Sequence, residues 1–205
     1  MIYITGDTHR EFSRLSRLEL TEDDLVIVLG DVGINYYLDS SDDRIKKKLS
    51  KYPCRFFFVR GNHEERPENI AGYSLEHVEG IVTGDVFMEK KYPKLMFATE
   101  GLYEIGGYRC FVTNGAYSVD KYYRLQNRYR WFADEELSDA EMEETLAKTP
   151  EMIAEMDTEE RKQYGHIAFV DYNSTGYICR QLINAVDPYE YGIDRKELVF
   201  IVRTC

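Results

Sequence analysis

The sequence predicts an α/β protein, and three observations carry that prediction. Over the first sixty residues, short apolar runs alternate with stretches of helical spacing. The apolar runs at residues 1–5, 24–29 and 55–59 do not alternate with polar residues, as expected of strands covered on both faces. Strand, helix, strand, helix, strand in that order implies parallel pairing through right-handed crossovers.

Residues 1–5 form the first strand and end at Gly6-Asp7. Phe12, Leu15 and Leu18 then recur at helical spacing, and residues 24–29 form a second strand ending at Gly30-Asp31. Residues 40–50 read as a helix opened by Ser40 or Ser41, with basic residues at its end where they suit the helix dipole. Residues 55–59 form a third strand leading into Gly61-Asn62-His63-Glu64. From about residue 81 the pattern changes to short β runs at 95–97, 102–105 and 108–112, and Gly106-Gly107 is a two-residue hairpin signal. Residues 138–148 read as a helix in which Ser138 and Glu141 make a capping box, and strands are expected at 167–170 and 198–202. His77 reads as an ordinary helix or loop histidine, and Gly84-Asp85 as an ordinary turn. The length of 205 residues, without repeats or a linker, suits a single domain over 1–205.

The net charge of -11 belongs to one segment. Residues 134–160 hold twelve acids against one base, Lys148, and the remainder balances at 25 acids and 25 bases. This argues against a broad nucleic-acid-binding surface, while leaving room for an anionic substrate elsewhere. Cys54, Cys110, Cys179 and Cys205 include no C-x-x-C pair, so reduced thiols are expected in place of disulfides or a thiolate zinc site. The longest apolar runs are too short to span a bilayer, and the N-terminus has no signal-peptide pattern. No membrane association and a cytoplasmic location are therefore expected.

Three strands end in the same kind of place: Gly6-Asp7-Thr8-His9, Gly30-Asp31-Val32-Gly33 and Gly61-Asn62-His63-Glu64. In an open α/β sheet, ligands gather beyond the carboxyl ends of the strands. Parallel pairing therefore brings Asp7, His9, Asp31, Asn62 and His63 to one rim. Two carboxylates, an imidazole and a carboxamide make a mixed oxygen and nitrogen donor set that suits Mn²⁺, Zn²⁺ or Fe. Any one of these turns alone is a weak signal; three in order on successive strands are a strong one.

At these intervals the three motifs resemble the first three motifs of the calcineurin-like metallophosphoesterases, and residues 114–124 (NGAYSVDKYYR) resemble a segment of bacterial and phage members. The similarity covers about residues 1–148. It implies an α/β/β/α sandwich with a dinuclear divalent-metal centre, Mn²⁺ first among the candidates. Asp7 and His9 would hold one metal, Asn62 the second, and Asp31 would bridge them. The implied activity is hydrolysis of phosphomonoesters or phosphodiesters by a metal-activated water. His63 would protonate the leaving alkoxide or stabilise its charge. Arg10, Arg60 and Arg66 flank the motifs, and Arg10 and Arg66 are candidates for the substrate phosphate. The substrate class stays wide: a phosphorylated small molecule, a nucleotide or a phosphoprotein.

The C-terminal part departs from the family pattern, which makes residues 149–205 a divergent tail. The chain has four histidines, His9, His63, His77 and His166, and no Gly-His-x-His. His166 is the remaining candidate ligand, but Ala168 stands where that motif's second histidine would be. Ile34, three residues after Asp31, occupies a place where some members carry an acid, which argues against a His–Asp dyad with His63. Two further readings follow: a catalytically impaired binding protein that lacks the C-terminal ligands, and an acidic interaction module built on residues 134–160.

Overall fold

The computed structural model describes residues 1–115, 118, 120–141, 143, 144, 167–171 and 199–203, with the backbone alone at 109, 111 and the last two of these segments. Strands β1 (Ile2–Gly6), β2 (Leu25–Leu29) and β3 (Arg55–Val59) lie side by side and parallel. Their register is level: Gly6 pairs with Leu29, and Leu29 with Val59, so the three carboxyl ends finish at one height. Helix α1 (Ser40–Leu49) joins β2 to β3. Its N-cap is Asp39, whose carboxylate accepts the Ser41 N–H, and Lys46, Lys47 and Lys48 occupy its last turn. The Phe12, Leu15 and Leu18 spacing yields a 3-10 helix, Ser13–Arg17. Intervals of three and three match that tighter repeat, and the Leu15 and Leu18 amides donate to carbonyls three residues back.

Beyond β3 the chain forms β4 (Tyr73–Val78), β5 (Val82–Glu89), β6 (Leu95–Ala98), β7 (Gly101–Ile105) and β8 (Tyr108–Val112). Strand β6 is parallel to β3, while β5 is antiparallel to β4, β6 and β7. Gly106 and Gly107, at φ 60° and 87°, make the two-residue turn between β7 and β8, a conformation that suits glycine. The short helix α2 (Lys121–Gln126) follows, then β9 (Ile167–Asp171) parallel to β8, and β10 (Val199–Arg203) parallel to β9. Residues 139–141, 143 and 144 are helical, and Ser138 and Glu141 exchange the two hydrogen bonds of the expected capping box.

Two local expectations are corrected. His77 lies in β4 and Gly84-Asp85 in β5, where His77 pairs with Asp85 and Val78 with Gly84. A partner strand has overridden what the isolated segments suggest.

Strand β5 carries the sheet round a corner. Val86 and Phe87 pair with β6, Val82 and Thr83 pair with β7, and Gly84 stands between them at φ 150°. Side-chain alternation then divides the interior in two. Leu25, Ile27, Leu29, Phe57, Val59 and Met96 pack against Tyr103, Ile105, Cys110 and Val112 between the two halves of the curled sheet. Val26, Val28, Phe56, Phe58 and Phe97 pack on the outer side with Phe12, Leu15, Ile34 and Leu49. Strands β2 and β3 have the both-faces burial that unalternating runs imply, whereas β1, at the end of the strand order, is only partly covered and leaves Ile4 exposed. The result is a sandwich of curled sheet and helix with its level strand ends at one rim.

Candidate metal centre

Each strand end at the rim turns tightly into the next. A Cβ on Gly6 would lie 2.5 Å from the Leu29 carbonyl oxygen, which explains the glycine. Past Gly6, the first loop runs beside the second: the Asp7 amide donates to Gly30 O at 3.1 Å, His9 to Asp31 O at 2.7 Å, and Arg10 to Val32 O at 3.0 Å. Asp7, His9, Arg10 and Asp31 adopt φ of 51°, 42°, 74° and 43°. They are four of the six non-glycine residues with positive φ among the described residues. Such backbone costs on the order of 1–3 kcal/mol per residue and persists where neighbours enforce it. Here the strain aims side chains outward from the strand ends.

Donor atoms of His9, Asp31 and His63 all lie within 4.8 Å of one another. His9 Nε2 is 2.7 Å from Asp7 Oδ1 and 3.6 Å from Asp31 Oδ2. Asp31 is 1% exposed, and its Oδ1 accepts the His63 backbone N–H at 3.1 Å. The two imidazoles meet edge to face with centroids 5.0 Å apart. Asn62 lies behind them, 2% exposed, with Nδ2 donating to Ser118 Oγ at 2.9 Å. Asp7 and His9 are half exposed, so the cluster is buried on the protein side and open on the other. Two imidazoles with buried and exposed carboxylates form a donor set that fits a borderline divalent cation.

A family model described as Calcineurin-like phosphoesterase matches residues 1–175. The chain belongs to the calcineurin-like phosphoesterase family. The match runs past residue 148, where the resemblance of the motifs gives out, and includes Gly165-His166. No curated protein matches the chain. Membership in this phosphoesterase family suggests metal-dependent phosphoester hydrolysis and a centre for divalent metal. Among the described residues, no helix is long and apolar enough to cross a membrane.

In this member of the family, His63 is set apart from an ordinary histidine by its surroundings. Burial, then the Arg124 charge and His9, lower its pKa to about 4, against the opposing pull of Asp120 and Asp7. The ring is therefore neutral at pH 7 and offers one N–H. Asp120 Oδ2 lies 4.0 Å from His63 Nε2. Ile34 is fully buried in the outer core, and Asp120, the acid paired with the His63 ring nitrogen, comes from a distant part of the chain.

Sequence reasoning missed a layer of residues behind the donors. Glu64 is fully buried; its Oε1 accepts the Val32 and Gly61 amides at 3.1 and 3.2 Å, tying the second loop to the third. Burial raises its pKa to about 7 in spite of those bonds. Asn114 Oδ1 accepts the Arg60 N–H at 2.8 Å, and Arg60 Nη1 donates to Glu135 O at 2.7 Å. Ser118, Arg124 and Glu135 complete the layer. The stretch at 114–124 was the available signal, but nothing in it says which of its side chains face the rim.

The geometry gives no support to the phosphate roles expected of Arg10 and Arg66. Arg10 donates to Asp42 Oδ1 at 2.6 Å and to the Gly33 and Ser41 carbonyls, which ties the first loop to α1. Arg66 donates to the Asp134 and Glu136 carbonyls and to Glu141 Oε1 at 2.7 Å, pinning residues 134–141 to the third loop. His77 Nδ1 lies 2.7 Å from Asp85 Oδ1, across from it on β5. His166 lies outside the described residues.

Proposed function

We propose that the chain hydrolyses phosphomonoesters or phosphodiesters, with Asp7, His9, Asp31 and Asn62 holding divalent metal and His63 facing the leaving group. Mn²⁺ is the first candidate, ahead of Fe and Zn²⁺, and His166 stays a candidate for a further ligand. The observation that carries this reading is the 4.8 Å cluster of His9, Asp31 and His63 at the level ends of parallel strands in a chain of this family. Bound metal would supply Lewis acidity toward the phosphoryl oxygens and lower the pKa of a water.

The chain's own residues do the rest. Asp31, buried and fixed by the His63 N–H, keeps its second oxygen near His9. His63 is neutral, so it acts by donating its one N–H as a hydrogen bond to the leaving oxygen, and Asp120, 4.0 Å from Nε2, opposes the fall in that ring's pKa. Arg10 and Arg66 are engaged elsewhere, so bound metal would contribute to neutralising the substrate's charge. The substrate is a phosphorylated small molecule, a nucleotide or a phosphoprotein. The reduced, buried Cys54 and Cys110 agree with a cytoplasmic setting.

A second reading, a metal-poor relative that binds phosphorylated ligands without turnover, is favoured by one observation. Of the three histidines among the described residues, two reach the cluster, and His77 is paired with Asp85 on the β4–β5 hairpin. Counting tightly bound Mn²⁺ per chain, with p-nitrophenyl phosphate and bis(p-nitrophenyl) phosphate as substrates, separates the two. Two ions and metal-dependent hydrolysis that Asp31→Ala abolishes is the expected result. At most one ion and no hydrolysis favours the binding protein.

A further inference from the structure

The carboxamide of Asn62 has two ends of similar size: an oxygen that can ligate a cation, and an NH₂ that cannot. Which end meets the rim depends on what holds the other. Nδ2 donates to Ser118 Oγ at 2.9 Å. Ser118 is itself fixed from two sides: its Oγ accepts from Arg124 Nη1 at 2.6 Å, and its backbone N–H donates to Glu135 Oε1 at 3.1 Å. Glu135 Oε2 lies 3.3 Å from Arg124 Nη1, and Arg124 Nε donates to the Arg130 carbonyl at 2.8 Å. Asn62, Ser118, Arg124 and Glu135 are each 2% exposed or less. A buried charge pair of this kind holds its geometry because breaking it would leave an uncompensated charge inside.

We infer that Ser118, braced by the Arg124–Glu135 pair, is a positioning residue that turns the Asn62 carboxamide so that Oδ1 is presented to the cation. The inference rests on the metal-dependent reading above and gives that centre a support outside the three strand-end motifs. The brace is reached through one hydroxyl oxygen, so Ser118→Ala removes that link while the Arg124–Glu135 pair and the Ser118 N–H bond to Glu135 stay in place.

The test compares wild type with Ser118→Ala and Glu135→Gln by two measurements. The first is exchange of the Asn62 side-chain NH₂ with solvent in metal-free protein, followed by NMR. The second is Mn²⁺ affinity by calorimetry. In Ser118→Ala, the Asn62 NH₂ exchanges at least about tenfold faster, because its acceptor is gone. Mn²⁺ binding weakens about ten- to a hundredfold, the usual effect of removing a group that orients a ligand. Glu135→Gln shifts both in the same direction by less, and serves alone should Ser118→Ala not fold. Unchanged amide exchange in a folded variant, or unchanged affinity in a wild type that does bind Mn²⁺, overturns the inference. A wild type with no Mn²⁺ affinity overturns the phosphoesterase reading instead, and amide exchange alone then decides whether Ser118 holds Asn62.

Discussion

At Asp31 the backbone and the carboxylate make separate demands. Its φ of 43° lies in the left-handed region that aspartate and asparagine tolerate better than most residues, and its Oδ1 accepts the His63 N–H. Asparagine satisfies both demands and lacks the charge and the second oxygen. Asp31→Asn should therefore keep a melting temperature close to wild type while its Mn²⁺ affinity, measured by calorimetry, falls at least about tenfold. Asp31→Ala loses the acceptor as well and leaves a buried N–H unpaired, so its stability should fall by roughly 1–3 kcal/mol in urea unfolding. Equal melting temperatures for the two variants would show that the backbone at 31 is not held by that bond.

Elements are joined by single side chains that bridge several partners. Arg66 reaches Asp134 O, Glu136 O and Glu141 through three different nitrogens, a fork that lysine cannot reproduce. The Arg66 hydrogen bond is the first cause holding the Glu141 carboxyl at about 2, below its ordinary 4.5. A depressed carboxyl stabilises the fold fully above about pH 4.5 and loses that contribution as pH falls through about 2. Emission from Trp131, the single tryptophan, should thus shift between those limits on acidification, and Arg66→Lys should remove the transition. In β5, a Cβ on Gly84 would come within 2.5 Å of the Tyr103 ring, whose hydroxyl accepts the Thr99 N–H at 2.7 Å. Gly84→Ala should cost about 1–3 kcal/mol by overpacking, read as a lower midpoint of denaturant unfolding with activity per folded molecule unchanged.

For the whole molecule, the metal is a ligand of the native state alone. Saturating Mn²⁺ at about a hundred times its dissociation constant should add roughly 2.7 kcal/mol to stability, and a chelator should reverse the rise in melting temperature. The same scan on Asp31→Asn should show little response. The frame that makes such a centre is legible in the sequence. Residues 24–29 and 55–59 carry unbroken apolar runs, and the glycines that end each strand bring Asp7, His9, Asp31, Asn62 and His63 to one rim before any coordinates are known. What the sequence hides are contacts that depend on distant pairing. His77 enters a strand because β5 is beside it, and Asn62 finds Ser118 across 56 residues. Arg10 and Arg66 flank the motifs in sequence, yet acids and carbonyls of other elements take up their donors.

The 2.7 Å contact between His9 Nε2 and Asp7 Oδ1 has one more implication. In the metal-free chain that nitrogen must bear a hydrogen to bond the carboxylate, whereas a cation needs its lone pair. Carboxylate and cation therefore compete for the same atom, and the imidazole has to move its hydrogen off Nε2 when the centre fills. Loading becomes a rearrangement of one ring. The ¹⁵N shifts of the two His9 ring nitrogens should therefore change on loading with diamagnetic Zn²⁺, and stay as they were in a chain that binds no cation.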